Sequence, residues 1–282
     1  MTDVLPEVPV KEADPATRDI YERIMAATGV GSPALIYRHF AVYPGMLGWV
    51  WDIVGSPLES GYAAGHALNA VAATPVVPLP AVGTDEMRTD GVDLDAHRTI
   101  DAMLATYNRM NPVNLSLITA IRDLIADGSS PDTAPAPLPS VAVPPPATAL
   151  KLPAPLDLDA MRDDAHRTVL ELSAAIPSPG AQVIPTLYRH LAIWPDFLAR
   201  IAPGLTDAMQ RGEVEARMRD LNTAMQPLID SVTHEARVGH PPPPPIDDAA
   251  AMIETLNAFL YTIPQLVIVG TALRAAIPVC KD

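Results

Sequence analysis

The chain of 282 residues carries 33 acidic against 19 basic side chains, a formal charge of −14, and is 49% apolar but only 5% aromatic. No basic stripe is available to neutralise nucleic-acid phosphates, and the one cysteine, Cys280, excludes an intrachain disulfide and a CxxC-type zinc set. The length holds one large domain or two ordinary ones with a real core, and small aliphatics favour closely packed helices over a β-sandwich.

The N-terminus, MTDVLPEVPVKEADP, has acids and prolines where a signal peptide needs a basic start and an apolar core, so a soluble, cytoplasmic protein is expected. Asp14 followed by Pro15 reads as an N-cap and first-position proline, and Ile20, Ile24 and Met25 then fall along one helix face. IYRHFAVYPGML begins at Ile36. Asp93 and Asp95 precede AHRTIDAML as acids at a helix N-terminus, complementing its dipole, and Leu104, Tyr107 and Asn108 share a face of that helix. Asn111 stands before Pro112, where the α region is disfavoured, so a helix break is expected there.

From Asp127 to about Asp159 the chain holds nine prolines between Pro131 and Pro155. Proline lacks the amide donor and fixes φ, so this segment runs extended, at about 3.1 Å per residue where it is polyproline II. Asp164 opens a second DAHRT, an echo of the one at Asp95, and both read as helix starts. LYRHLAIWPDFL follows from Leu187. In HEARVGH, His234 and His240 are six apart, not the four that would place both over zinc on one helical face, so no metal is expected. Pro241 to Pro245 reads as an exposed connection between helices. The longest apolar stretch, Ala258 to Leu273, is shorter than a membrane span and interrupted by Pro264.

The string at Ile36 recurs at Leu187, 151 residues on, and the segment from Ile100 matches the one from Met252 at an offset of 152. A nearly constant offset signals an internal duplication. The expected architecture is all-α: two tandem helical repeats, 16–127 and 161–278, packed as a pseudo-dimer and joined by a proline-rich linker over 128–160.

The run YNRMNPVNLSLITA from Tyr107, with RHFAVYPGML in the first repeat and LAIWP in the second, resembles the group I 2-haloacid dehalogenases of the DehI type. The likeness runs in outline from about residue 16 to residue 277. It implies an AhpD-like all-α fold of two repeats and hydrolysis of D- and L-2-haloacids by an activated water, with no covalent ester intermediate. It also implies that Asn111 positions the reactants. The family's activating Asp lies eight residues before the Pro of the WP element, a place held here by Leu187, and the matching first-repeat residue is Ile36. Leucine takes no proton from water, so the family mechanism does not transfer intact.

His190, three residues after Leu187, sits about one turn away on roughly the same face, and a neutral imidazole there is a candidate base. His39 is its repeat mate. Leu187, His39, Tyr188 and Trp194 are the substrate-binding candidates, Trp194 and Tyr43 as walls before their prolines. The competing reading makes the repeated Tyr-Arg-His a packing and hydrogen-bonding corner kept by descent. No GxSxG, GxGxxG or P-loop occurs. The expected ligand is a small carboxylic acid, with no cofactor, nucleic acid or membrane, in a monomer or homodimer. The alternative is a non-catalytic ligand-binding or structural protein of the same fold.

Overall fold

A computed structural model describes residues 5–126, 135–142, 152–176 and 184–280. These residues hold eleven α-helices and two short 3-10 turns, with no strand among them. In chain order the helices are α1 (Pro15–Thr28), α2 (Leu35–Phe40), α3 (Met46–Glu59), α4 (Tyr62–Ala73), α5 (Thr84–Thr89), α6 (Leu94–Ala126), α7 (Asp163–Ala174), α8 (Thr186–Leu191), α9 (Pro195–Gln210), α10 (Glu213–Gly239) and α11 (Ala249–Ala276). The all-α expectation is met.

The helix starts read from the sequence have their caps. Asp14 accepts from the Thr17 amide at 2.8 Å with Pro15 in the first turn, and Asp93 accepts from the Ala96 amide at 2.8 Å before α6. The expected break at Asn111 does not occur. The α6 helix runs through Pro112, and α11 likewise runs through Pro264. A proline in a helix interior forfeits one backbone hydrogen bond and crowds the preceding turn; both prolines lie in stretches dense with buried residues, whose packing offsets that local cost. The continuity of α11 also corrects the reading of an apolar segment too short to span. It is 28 residues long and apolar enough to cross a membrane, yet its apolar window is 72% buried within the protein.

The chain divides into two compact units. The first draws on Met1–Val71, Pro112–Ala149 and Ala224–Leu260, the second on Ala72–Asn111, Leu150–Thr223 and Tyr261–Asp282. Each unit therefore takes segments from both halves of the sequence, and α6 and α11 each contribute to both. In the first unit α1 and α2 pack on α3 around Tyr21, Ile24, Tyr37, Phe40 and Met46. In the second unit α7, α8 and α9 pack on one another around Val169, Leu172, Leu187, Tyr188 and Phe197.

Parallel hydrogen bonds recur in the two units. Tyr37 donates to Asn114 Oδ1 at 3.3 Å, and Gln265 Nε2 donates to the Tyr188 hydroxyl at 3.2 Å, each pair 77 residues apart. An extended strap lies on each short helix: the Val8 amide donates to Arg38 O, and the Leu156 amide donates to Arg189 O. The straps precede residues 16 and 161, where the sequence reading began its repeats. Arg38 pairs with Glu7, and Arg189 with Asp157. Of the proline-rich connection, residues 135–142 form neither helix nor strand, and a Cβ on Gly65 of α4 would meet Val141 Cγ2 at 2.7 Å, so glycine there permits the close approach. The remainder of the connection lies partly outside the described residues. Pro241 to Pro245 joins α10 to α11 with half-buried and exposed residues, and Pro241 O accepts from the Trp49 indole at 2.9 Å.

Candidate functional site

Of the sequence-derived candidates, Asn111, Leu187, Tyr188, His190 and Trp194 fall in the second unit. His39 belongs to the first. The six-residue α8, TLYRHL, turns Leu187, Tyr188, His190 and Leu191 inward and leaves Arg189 half-buried.

Leu187 has no exposed surface at all. It belongs to the core, and burying a leucine side chain stabilises the fold by about 1.5–3 kcal/mol. Tyr188 is also fully buried, and burial pushes its phenol well above the ordinary range, so its hydroxyl stays neutral and accepts from Gln265 Nε2. Trp194 is half-buried at the N-cap of α9. Leu187 and Tyr188 are thus wall and core rather than groups offered to a ligand.

His190 is engaged at both nitrogens. Its Nε2 lies 2.8 Å from Pro153 O, and its Nδ1 2.8 Å from the Tyr107 hydroxyl. A carbonyl only accepts, so Nε2 carries the proton, and Nδ1 is the bare nitrogen that accepts from Tyr107. The imidazole consequently has no lone pair free for a water molecule. Burial lowers its pKa, opposed by the Pro153 carbonyl and reinforced by the Arg189 charge. His39 shares the backbone anchor through the other nitrogen, donating from Nδ1 to Pro6 O at 2.7 Å, while its buried Nε2 has no partner. Tyr43 meets the His39 ring edge-on at 5.3 Å.

Asn111 is 9% exposed, and its Nδ2 is buried without a hydrogen-bond partner. Asn108 Oδ1 is a second orphan, buried and without a partner. At 100° per residue Tyr107, Asn111 and Asn108 lie within one third of the helix circumference. This face of α6 thus offers one unmet donor, one unmet acceptor and a phenol, and each unmet buried group costs about 1–3 kcal/mol unless something pairs with it. The sequence reading placed Tyr107 and Asn108 on a helix face and went no further. The YNxxN spacing was the available signal. Gln265 was missed, though a lone polar residue in the apolar run TIPQLVIV was visible.

A cavity of about 220 Å³ elsewhere in the second unit is lined by Pro80, Val82, Glu86, Arg200, Ile201 and Leu273 among others, and shares no lining residue with the α6 face. Arg200 is already bound by both Asp90 oxygens and by Glu86. Two carboxylates against one guanidinium leave no cation there for an acid substrate, whereas the α6 face holds an unmet donor and an unmet acceptor. Among the described residues, no group of three His, Cys, Asp or Glu is placed to hold a metal ion.

Burial lowers the pKa of His39, His66 and His190. Below about pH 6.5 the unfolded chain then binds protons that the folded chain refuses, so stability is complete above that value and declines as pH falls. The carboxylates Asp14, Asp164 and Glu213, whose pKa values are lowered by hydrogen bonds, add their own loss only at more acid pH. Urea midpoints should fall between about pH 7 and pH 5. A His39→Gln variant, which keeps the donor to Pro6, should show a smaller fall; an unchanged slope would remove His39 from the explanation.

No family model and no curated protein matches the chain. Solved structures do. A D-2-haloacid dehalogenase mutant in complex with D-2-CPA aligns with a TM-score of 0.71 at 17% identity, covering 97% of this chain and 96% of that one. A D-2-haloacid dehalogenase with L-LA aligns with a TM-score of 0.70, also at 17% identity and the same coverage. The fold is that of these dehalogenases. The match extends over nearly the whole of both chains, so it includes the order of the helices and not merely a shared bundle.

Proposed function

We propose that this protein is a dehalogenase-like hydrolase acting on a small 2-substituted carboxylic acid, with Asn111 holding substrate or water. The observation that carries this reading is the buried, unpartnered Asn111 amide, which matches the residue that the sequence resemblance singled out. A carboxylate oxygen or a water would satisfy it, and Asn108 Oδ1 would take a hydrogen from water or a hydroxyl. The likeness in fold to proteins solved with D-2-CPA and L-LA supports the substrate class. On this reading the chain is a relative of the group I enzymes whose base position is filled by Leu187. The two repeats, 16–127 and 161–278, descend from one half, a view supported by the two Tyr–amide pairs of equal separation. The burial of α11 supports a soluble protein.

A halide-release screen across short 2-haloacids tests the reading, and the parent is expected to be active on at least one. Asn111→Ala should lower the rate by about 10²–10³-fold if the amide acts on the developing charge. The fully buried Leu187 favours a second reading, a binding protein that has kept the fold without the chemistry. Calorimetric binding of a 2-haloacid without halide release would select it. Neither binding nor release would refute both.

A further inference from the structure

We propose that Tyr107 is the group that accepts the proton from the attacking water, with His190 behind it as a positioning residue and proton store. The proposal rests on the hydrolase reading and supplies the acceptor that reading lacks. Three observations carry it. The half-buried Tyr107 directs its hydroxyl proton at His190 Nδ1 at 2.8 Å, which leaves the oxygen lone pairs for another donor. His190 Nε2–H is fixed on Pro153 O at 2.8 Å, so the ring keeps the tautomer that receives from Tyr107 and, once protonated, keeps a backbone acceptor for its second N–H. Asn111, with its unmet donor, lies on the same face of α6.

The other half of the chain lacks this arrangement. His39 also donates to a proline carbonyl, but its second nitrogen is buried and unpartnered, and the positions 151 and 152 residues after Tyr107 are Ala258 and Phe259, neither of which carries a hydroxyl. A phenol–imidazole couple present in one unit and missing its hydroxyl in the other is more than a packing corner inherited twice.

The step balances. A lone pair of the water oxygen forms the bond to C2 while the carbon–halogen bond breaks and the halide leaves with that bond's electrons. One water proton passes to Tyr107 Oη as the tyrosine's own proton passes to His190 Nδ1. The products are a 2-hydroxy acid, halide and an imidazolium that returns its proton to solvent after release. Water approaching Tyr107 is thus activated by a basic nitrogen it never touches, which reconciles a histidine with no free lone pair with a role in proton transfer.

The test measures kcat and KM for halide release in the parent, Tyr107→Phe and His190→Gln. Phenylalanine keeps the ring and removes the hydroxyl. Glutamine can still accept from Tyr107 and donate to Pro153 but takes no proton near neutral pH, so a merely structural histidine would be rescued by it. The expected result is a drop in kcat of about 10²–10⁴-fold in both variants with KM little changed. A parent that releases halide while either folded variant keeps kcat within about threefold overturns this proposal and leaves the hydrolase reading standing. A rise in KM alone, the mark of a binding role, overturns it too. A parent inert on every 2-haloacid overturns the hydrolase reading and this proposal with it. Should His190→Gln fail to fold by circular dichroism, Tyr107→Phe, which loses one oxygen from a half-buried side chain, decides alone.

Discussion

A Leu187→Asp variant is expected to lose about 2–5 kcal/mol of stability and, where it folds, to release halide from 2-chloropropionate faster than the parent. The loss follows from the site: Leu187 has no exposed surface and sits on α8 among Tyr188, Leu191 and the α7 and α9 helices. Aspartate removes apolar packing and brings a carboxyl into buried, largely apolar surroundings. Burial there would raise its pKa, so the unfolded chain would ionise first, and the deficit should grow as pH rises above about 4. Urea unfolding at several pH values measures both. A variant as stable as the parent at every pH would mean that position 187 is hydrated, contrary to its burial. The gain of activity follows from the family resemblance, which puts a base at this position. A folded variant without any gain would show that the residues around position 187 have also departed from that pattern.

Much of the fold was legible because its signals are local. Capping acids at Asp14 and Asp93, a proline at the first helical position and apolar residues three and four apart each specify a helix within a few residues. The errors came where tertiary packing overrides a local rule. Pro112 and Pro264 predict breaks, yet α6 and α11 run through them, and Asn111 consequently lies inside a helix instead of at its end. That difference matters chemically. Mid-helix, its backbone is set by the helix and the unmet side-chain amide is all that distinguishes it.

The candidate site was legible as a list of residues and not as a set of bonds. His190 was found because the Tyr-Arg-His string repeats, but its partners lie 83 residues away at Tyr107 and 37 away at Pro153. A proline carbonyl leaves no side-chain signature, so neither strap could be read from the sequence. Direct attack on a water proton by His190 does not fit an imidazole occupied on both sides. Asn108 shares a helix face with Tyr107 in the sequence, but only its buried, unpaired oxygen singles it out.

Gly270→Ala is expected to lower kcat/KM by about 10²-fold while leaving stability within about 1 kcal/mol of the parent. Gly270 lies within α11, and a Cβ built there would stand 2.2 Å from Asn108 Oδ1 and 3.3 Å from its Cγ. Something must move, and the amide at the end of a short flexible side chain is what can. Its rotation costs about 0.5–1.5 kcal/mol, while alanine in place of glycine in a helix interior gains about 1 kcal/mol, so the two nearly cancel. The catalytic consequence does not cancel, because Asn108 Oδ1 is the unmet acceptor beside Asn111 and Tyr107, and an acceptor displaced by about 1 Å no longer orients a water for attack. Thermal melting and halide-release kinetics separate the two effects. A double variant completes the argument: if the methyl acts only by displacing Asn108, adding Gly270→Ala to Asn108→Ala should cost no further activity. Additive losses would mean that α11 itself has shifted, and full activity in Gly270→Ala would remove Asn108 from the site and leave its buried oxygen to an ordered water.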